Sequence, residues 1–436
     1  MATSTNDVLT RIENLGSRTW AIVFASGLVG IMAVLLAWDM LGLPGAHNMG
    51  NDDFVAFYSA AKLVVIGHTD LIFNQAALKQ FQIGIMGRPV GLAGYMPYLN
   101  PPFYAVALTP LTLLPEPVAR VAWLALNIGL VLIAARLVTH DVGGKQKAIA
   151  FLLVVASVPA YWALSEGQPS ILILVCLLLA LTQARKGRRG ATGLWLAVLW
   201  LKPHLALMTL AALLLFGRRR EAIAMTATLA AASLVSLLVV PAALYVDYAA
   251  YLASVVVTHA ESTGVATAAA WSGHIDKMQG LNGMTNSFAP GAPALVTTGL
   301  ALAAGAALTA LWLAATRIQR PGLGSGQREV MLVASLALAL LLDPHLYPQD
   351  TVLAFVALPL LTNRARPFLA YLGLIALGDA VVIDQHLLVH VFGWVLLAFV
   401  AAVCWRPALA AIRIGRLTPA TARTMPNEAL CGPGAA

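Results

Sequence analysis

The feature that most restricts the fold of this chain is a succession of about a dozen apolar segments, separated by short clusters of Lys and Arg. Hydrophobic residues make up 60% of the 436 residues and charged residues only 11%, whereas about a quarter of a soluble domain is charged. A helix needs about 20 apolar residues to cross a bilayer. The pattern therefore predicts an all-α integral membrane protein.

The basic residues indicate how the chain threads through the membrane. The formal net charge is +8, but the Lys and Arg side chains lie between apolar segments and form no patch of the kind that binds nucleic acid. When these clusters are placed in the cytoplasm, the chain alternates through about twelve crossings with both ends inside. Several segments have fewer than about 20 residues, so we expect half-helices or segments that end in water-filled cavities.

This threading predicts one transmembrane domain between two cytoplasmic ends. The first apolar run is about twice as long as the core of a signal peptide and lacks a convincing cleavage site, so we expect an uncleaved helix. The predicted parts are a cytoplasmic N-terminus 1–18, a transmembrane domain 19–405 with long outer loops at 43–117 and 241–291, and a flexible cytoplasmic tail 406–436.

The first outer loop has local structure of its own. Apolar residues recur at helical spacing in 54–65 and again in 71–85, which favours two helices lying in the membrane interface. The run 101–114 is apolar, but it is too short and too rich in Pro to cross. We expect it to dip into the membrane or to lie on its surface.

Nearly all polar clusters other than the Lys and Arg anchors fall on the outer side of this threading. A chain that only spans lipid has no reason to gather acids, amides and histidines at one face, so the pattern predicts a single site that opens away from the cytosol. The clusters are Asp52-Asp53, Asn100-Pro101-Pro102, Glu166-Gly167-Gln168, Lys202-Pro203-His204 and the segment 343–350.

The two acids after the first helix are candidates for proton transfer. Asp52 and Asp53 are adjacent and lie near a low-dielectric boundary, so each should raise the pKa of the other, which suits a general base. Alternatively, one of them caps the N-terminus of the helix predicted at 54–65. Both roles are compatible, because a cap also fixes the geometry of a carboxylate.

Lys202 lies within an apolar run of about 26 residues, where an ammonium is costly unless it faces a cavity or a partner. Pro203 breaks the helix and His204 adds a donor, so Lys202 and His204 together are candidates for holding an anionic group such as a phosphate. The alternative is a loop lysine that merely reaches the outer interface.

The remaining candidates are positions for a polar substrate. Gln168 lies at a predicted helix N-terminus, which favours anions or hydroxyl-rich ligands, although a tight hairpin turn explains it equally well. His345 and Asp350 belong to a segment too rich in acid, His and amide for a plain turn. Asn100 and Asn286 are further outer-loop candidates. Two Asp and one His would permit a metal, but their spacing is loose, and we expect neither metal nor cofactor.

Several motifs are missing from the sequence. It contains no phosphate-binding Gly loop, dinucleotide fingerprint, HExxH or nucleophile elbow. Its three cysteines show no metal or redox spacing. Nothing in the sequence would bind a nucleotide on the cytoplasmic side. If the predicted site transfers a chemical group, the activated donor of that group must therefore come from the membrane itself.

Short motifs follow one another in a fixed order along the outer side. The early ones are Asp53-Phe54, Phe57-Tyr58, Ala60-Ala61, Gly67 and Tyr98-Leu99-Asn100-Pro101-Pro102, and the later ones are Gly167-Gln168, Lys202-Pro203-His204 and Pro344-His345. Together they resemble glycosyltransferase family 87 over about residues 19–405. The resemblance implies a GT-C-type multi-span bundle and makes 19–405 the catalytic domain.

The resemblance also implies an activity. Such an enzyme would lie in the inner membrane and transfer mannose, or another hexose or pentose, from a polyprenyl-phosphate donor to a lipid or glycan acceptor on the extracytoplasmic side. The essential acid of the family corresponds to Asp53, or to Asp52 if the register is shifted by one. Asn100 replaces a tyrosine of the family pattern and Asp343 replaces a serine, so the acceptor and the role of His345 are left open.

Two other functions are compatible with many apolar segments. A transporter or lipid flippase would be expected to show paired repeats and ionisable residues at mid-membrane from both halves, and neither is evident in the sequence. A non-catalytic scaffold of an envelope complex would have no need for Asp53 or Lys202.

Overall fold

The protein is described here from a computed structural model, which covers residues 17–41, 53–91, 94–257, 279–288, 294–319, 325–343, 346–362, 365–378 and 393–403. Every regular element within these residues is a helix, in agreement with the predicted class. Asp52, His345 and the ends of the chain lie outside the described residues.

The helices are short to medium in length, and several are joined by 3₁₀ turns. The α-helices are α1 (Ser17–Met40), α2 (Phe54–Val65), α3 (Gln75–Met86), α4 (Pro102–Ala107), α5 (Glu116–Val138), α6 (Gly144–Val155), α7 (Val158–Ser165), α8 (Ser170–Arg185), α9 (Arg189–Leu196), α10 (Pro203–Leu215), α11 (Arg219–Ser236), α12 (Ala243–Val257), α13 (Leu281–Phe288), α14 (Ala294–Gln319), α15 (Ser325–Leu342), α16 (Ala365–Gly378) and α17 (Gly393–Val403). The 3₁₀ helices are Thr69–Leu71, Thr109–Leu113, Ala197–Leu201 and Pro348–Leu360.

Among the described residues, three stretches are long and apolar enough to cross a membrane: Ala21–Met40, Glu116–Val138 and Gln146–Ser165. The third combines α6 and α7, which are separated where the hydroxyl of Ser157 accepts a hydrogen bond from the N–H of Ala160. Further apolar helices have 10–17 residues. Short segments were expected, whereas the number of about twelve crossings stays a prediction.

The segment predicted to be the first outer loop differs from the expected pair of interfacial helices. Ten of the twelve residues of α2 are buried, so this helix lies inside the protein. It packs against α4 and against the 3₁₀ helix Thr109–Leu113, and the hydroxyl of Tyr58 donates to the carbonyl of Leu114 at 2.9 Å. The apolar run 101–114, which is too short to cross the membrane, therefore covers α2. Only α3, which buries Leu78 and Gln82, has the expected amphipathic character.

Helix α8 is the central element of the bundle. Its sequence is apolar on all sides, which is typical of a helix surrounded by protein, and most of its residues are buried. It packs against α5, α9 and the 3₁₀ helix Pro348–Leu360. At its C-terminal end Arg185 donates to the carbonyl of Pro359 at 2.9 Å and lies within 3.5 Å of the carboxylates of Asp141 and Glu329. The opposite end of α8 carries the polar residues of the candidate site.

Candidate active site

The candidate site begins at the turn between α7 and α8. Helix α7 ends in a Schellman motif, in which the N–H of Gly167 donates to Leu164 and the N–H of Gln168 donates to Ala163. Such a motif needs a residue with positive φ, and Gly167 has φ +65°. The sequence therefore forms a tight turn here, as one of the two interpretations predicted, and the turn presents Glu166 and Gln168 on either side of the glycine.

Asp53 is held by this turn from two directions. Its backbone N–H donates to the carbonyl of Glu166 at 3.1 Å, and the side-chain amide of Gln168 donates to its Oδ2. Asp53 immediately precedes α2, but its side chain makes no capping bond to that helix. Asp53 therefore occupies the N-cap position, as the capping interpretation predicted, but its carboxylate does not cap α2 and is directed to the turn instead.

The environment of Asp53 changes its acidity. Burial in protein raises the pKa of this carboxyl from 3.8 to about 7, and the nearby charge of Glu166 acts in the same direction. The hydrogen bond from Gln168 and the charge of Lys202 lower the pKa by smaller amounts. A carboxyl group with a pKa near neutrality can accept a proton and release it at physiological pH.

Lys202 is the second charged residue of the candidate site that is largely shielded from solvent. It precedes α10, and its Nζ lies 2.6 Å from both carboxylate oxygens of Asp350. The hydroxyl of Ser170, the first residue of α8, also donates to Asp350. The side chains of Lys202 and Asp350 are only 14% and 6% exposed. The ammonium thus has the partner that its burial requires, and the pair joins three helices at one point.

His204 is paired in a similar way. Its Nε2 lies 2.9 Å from Oδ2 of Asp343, which directly follows α15. The imidazole is 45% exposed and the carboxylate 3%. Both basic side chains of the Lys202-Pro203-His204 motif therefore contact acids of the segment 343–350. Lys202 and Asp350 are 148 residues apart in the chain, so the sequence pattern does not reveal that they form a pair.

The two asparagines have different surroundings. Asn100 is buried, and its amide donates to the carbonyl of Leu201 at 3.1 Å, so it supports the backbone immediately before Lys202. Asn286 is half-buried on α13, and no hydrogen bond joins it to another described residue of the site. The backbone before α13 contacts the 343–350 segment, because the N–H of Gln279 donates to Leu346 at 2.6 Å.

Asp39 is a polar residue of this region that the sequence interpretation missed. It lies in the last turn of α1, is 3% exposed, and accepts a hydrogen bond from the hydroxyl of Tyr161 at 2.6 Å. Tyr161 belongs to α7, the helix that ends at the Gly167 turn. The available signal was an acid at the end of an otherwise apolar helix. Glu166 and Ser170 were visible in their motifs but were not assigned to the site.

A helical membrane protein with a partly buried carboxyl group whose pKa is about 7, near an ion pair that is largely shielded from solvent, has the components of an enzyme that transfers a group at the membrane. The model of glycosyltransferase family 87 matches residues 98–344, more than half of the chain, and the chain belongs to this family. No curated protein and no solved structure matches the chain.

Family membership makes this protein a membrane glycosyltransferase, which uses a sugar donor and an acceptor, and it confirms the resemblance found in the sequence. The matched range includes Asn100, Gln168, Lys202, His204 and Asp343. Asp53 and Asp350 lie outside it, so only their contacts in the structure support their assignment to the candidate site. Among the described residues, no group of three or more His, Cys, Asp or Glu is arranged to hold a metal ion.

Proposed function

We propose that this glycosyltransferase takes a sugar from a polyprenyl-phosphate donor and transfers it, with inversion, to an acceptor hydroxyl on the extracytoplasmic face of the inner membrane. The observation that carries the proposal is the carboxyl group of Asp53, which is held by Gln168 and has a pKa of about 7. Its charge interaction with Lys202 and Asp350 supports our proposal that the base and the cation belong to one site.

In the proposed reaction, Asp53 is the general base. It takes the proton of the acceptor hydroxyl while the hydroxyl oxygen attacks the anomeric carbon of the donor sugar. The bond between that carbon and the lipid phosphate breaks on the opposite face, so the configuration inverts and the phosphate leaves with the bonding electrons. A positioned base typically contributes about 10²–10⁴-fold to such a rate. Asp52, which lies outside the described residues, takes this role only if Asp53 is excluded.

Lys202 and His204 are proposed to stabilise the charge of the leaving phosphate. Positive groups aimed at a developing anion in a poorly solvated site contribute strongly to catalysis. His204 is the more exposed of the two, so it is accessible to a lipid headgroup from the start. Lys202 is already paired with Asp350, and the donor phosphate would join this pair as a third partner.

The other predicted residues are proposed to orient the substrates. Asp350 can accept hydrogen bonds from sugar hydroxyls beside Lys202, and His345 belongs to the same segment. Asn286 is a candidate contact to the acceptor. Asn100 acts through the backbone of Leu201, to which it is bonded. The sugar is mannose or another hexose or pentose, and the acceptor is a lipid or a glycan.

The proposal is tested with the purified protein in proteoliposomes that contain polyprenyl-phosphate mannose and an envelope glycolipid extract. We expect transfer by the wild type and a loss of at least about 100-fold in Asp53→Asn, since the amide cannot take a proton. Asp70→Asn is the matched control, because Asp70 is an exposed acid of the same loop. Wild-type turnover by Asp53→Asn would exclude Asp53 as the general base. Uptake of a solute without a covalent product would favour a transporter.

A further inference from the structure

The turn between α7 and α8 holds Asp53, but it has no step of its own in the reaction as proposed so far. We infer that it is the positioning element of the base, in which Gln168 binds one carboxylate oxygen of Asp53 and leaves the other for the acceptor hydroxyl. This inference rests on the proposed function. It also replaces the substrate contact predicted for Gln168 with a contact to the catalytic side chain.

The first support is that the turn fixes both the backbone and the side chain of Asp53. The N–H of Asp53 donates to the carbonyl of Glu166, which sets the start of α2 against the end of α7. The amide nitrogen of Gln168 then reaches Oδ2. An amide N–H can only donate, so the bond holds Oδ2 as an acceptor. Oδ1 is not engaged by this bond, and in our proposal it is the oxygen that takes the proton of the substrate.

The second support is that the turn itself is fixed by its neighbours. A Cβ atom at Gly167 would lie 2.9 Å from Cβ of Phe54, so the turn and the first residue of α2 are in direct contact. The indole N–H of Trp123, on α5, donates to the carbonyl of Gly167 at 2.8 Å. Its ring also lies 6.2 Å from that of Phe54. Helix α5 thus holds the two contacting segments together.

The third support is that the two side chains of the turn act on the acidity of Asp53 in opposite directions. Burial raises the pKa most, the charge of Glu166 raises it further, and the hydrogen bond from Gln168 lowers it. The other charged groups that act on Asp53 are Lys202 from α10, which lowers the pKa, and Asp350, which raises it. Arg120 of α5 lies over the ring of Phe54 and is paired with Glu116.

The test compares pH profiles of kcat/KM for the wild type, Gln168→Leu and Glu166→Gln in proteoliposomes. Because the base must be ionised, activity rises with pH through the pKa of Asp53. Loss of the Gln168 bond should move this rise to higher pH and lower kcat by about 10- to 100-fold, the value of a hydrogen bond to a charged group. Loss of the Glu166 charge should move the rise to lower pH.

The matched control is Gln183→Leu, which changes the same residue type at the other end of α8 and should leave the profile unchanged. If Gln168→Leu does not fold, Gln168→Glu keeps the size of the side chain. Its carboxylate repels Asp53 instead of donating, so the rise should again move to higher pH.

Three results would overturn the inference. One is a wild-type pH profile in either Glu166→Gln or the folded Gln168 variant, and another is a shift of both profiles in the same direction. The third is a rise in KM at unchanged kcat for Gln168→Leu, which would make Gln168 a substrate contact. Failure of the proposed function looks different, since Asp53→Asn would then turn over at the wild-type rate.

Discussion

At the scale of single residues, the candidate site combines a partly buried carboxyl group and an ion pair, which are stabilised differently. Asp53 has a raised pKa and can exist as a neutral acid, while Lys202 and Asp350 neutralise each other. A buried ion pair is weak evidence for stability, but removing one partner leaves a charge in a poorly solvated place. These two situations lead to opposite expectations for substitution.

Asp53→Asn should stabilise the protein in a pH-dependent way. The pKa is about 7 in the folded protein and 3.8 for an unperturbed carboxyl, so the unfolded chain loses its proton at lower pH. Ionisation of Asp53 therefore destabilises the fold progressively between about pH 4 and 7, and the full effect is present above 7. We expect the melting temperature in detergent to be higher for Asp53→Asn than for the wild type at about pH 8. The difference should shrink towards pH 5, and a difference that is independent of pH would contradict the raised pKa.

Lys202→Met should destabilise the protein strongly, because it leaves the carboxylate of Asp350 buried beside Ser170. Breaking a buried pair typically costs about 3–5 kcal/mol. The double variant with Asp350→Asn should recover most of the melting temperature but not the activity. The control is Asp141→Asn, which removes an exposed partner of Arg185 and should cost at most about 1 kcal/mol. Recovery of activity in the double variant would show that the pair is only structural.

At the scale of the elements, Gly167 in the α7–α8 turn both supplies a positive φ and lies in close contact with α2. Comparison with Gly187 separates these two roles. Gly167 and Gly187 each follow a helix in a Schellman motif with positive φ, +65° and +69°. A Cβ at Gly187 would meet no atom within 4 Å, whereas one at Gly167 would lie 2.9 Å from Phe54. The two sites therefore share the backbone requirement and differ in the contact with α2.

Gly187→Ala should cost about 1 kcal/mol, the strain of a left-handed conformation in alanine. Gly167→Ala should cost more, because Phe54 must also move, and the displacement should reduce activity through Asp53. Melting temperatures and transfer rates of the two variants check this. Equal loss of stability with full activity in both would show that the contact with Phe54 is unimportant.

The elements also show what the sequence can predict. Helix α8 runs over Ser170–Arg185, in agreement with the helix N-terminus predicted at Gln168, because its apolar run begins after a polar turn and ends in basic residues. The burial of α2 was not predicted, since hydropathy does not show that the short segment 102–113 folds over it. The Lys202–Asp350 pair was missed for the same reason. Both residues were candidates, but local periodicity carries no information on contacts between distant segments.

At the scale of the whole molecule, the two ends of the central helix differ in their polar groups. The N-terminal end of α8 lies beside the carboxyl of Asp53 and the pair of Lys202 with Asp350. The C-terminal end carries Arg185, next to Asp141 and Glu329. Basic residues anchor the cytoplasmic ends of membrane helices, so this asymmetry favours a site that opens on the extracytoplasmic side.

The orientation of the protein in the membrane therefore determines whether a lipid-linked donor can reach the candidate site from outside. We predict that the site opens on the extracytoplasmic side. In a background with the native cysteines replaced, Asp70→Cys in the first outer loop and His140→Cys after α5 introduce single exposed thiols. A membrane-impermeant maleimide applied to intact spheroplasts should label the thiol at position 70 and should label that at 140 only after lysis. The reverse pattern would place Asp53 on the cytoplasmic side. A donor presented at the outer leaflet could not then reach the base, and the transfer reaction would have to start from an activated sugar on the other side of the membrane.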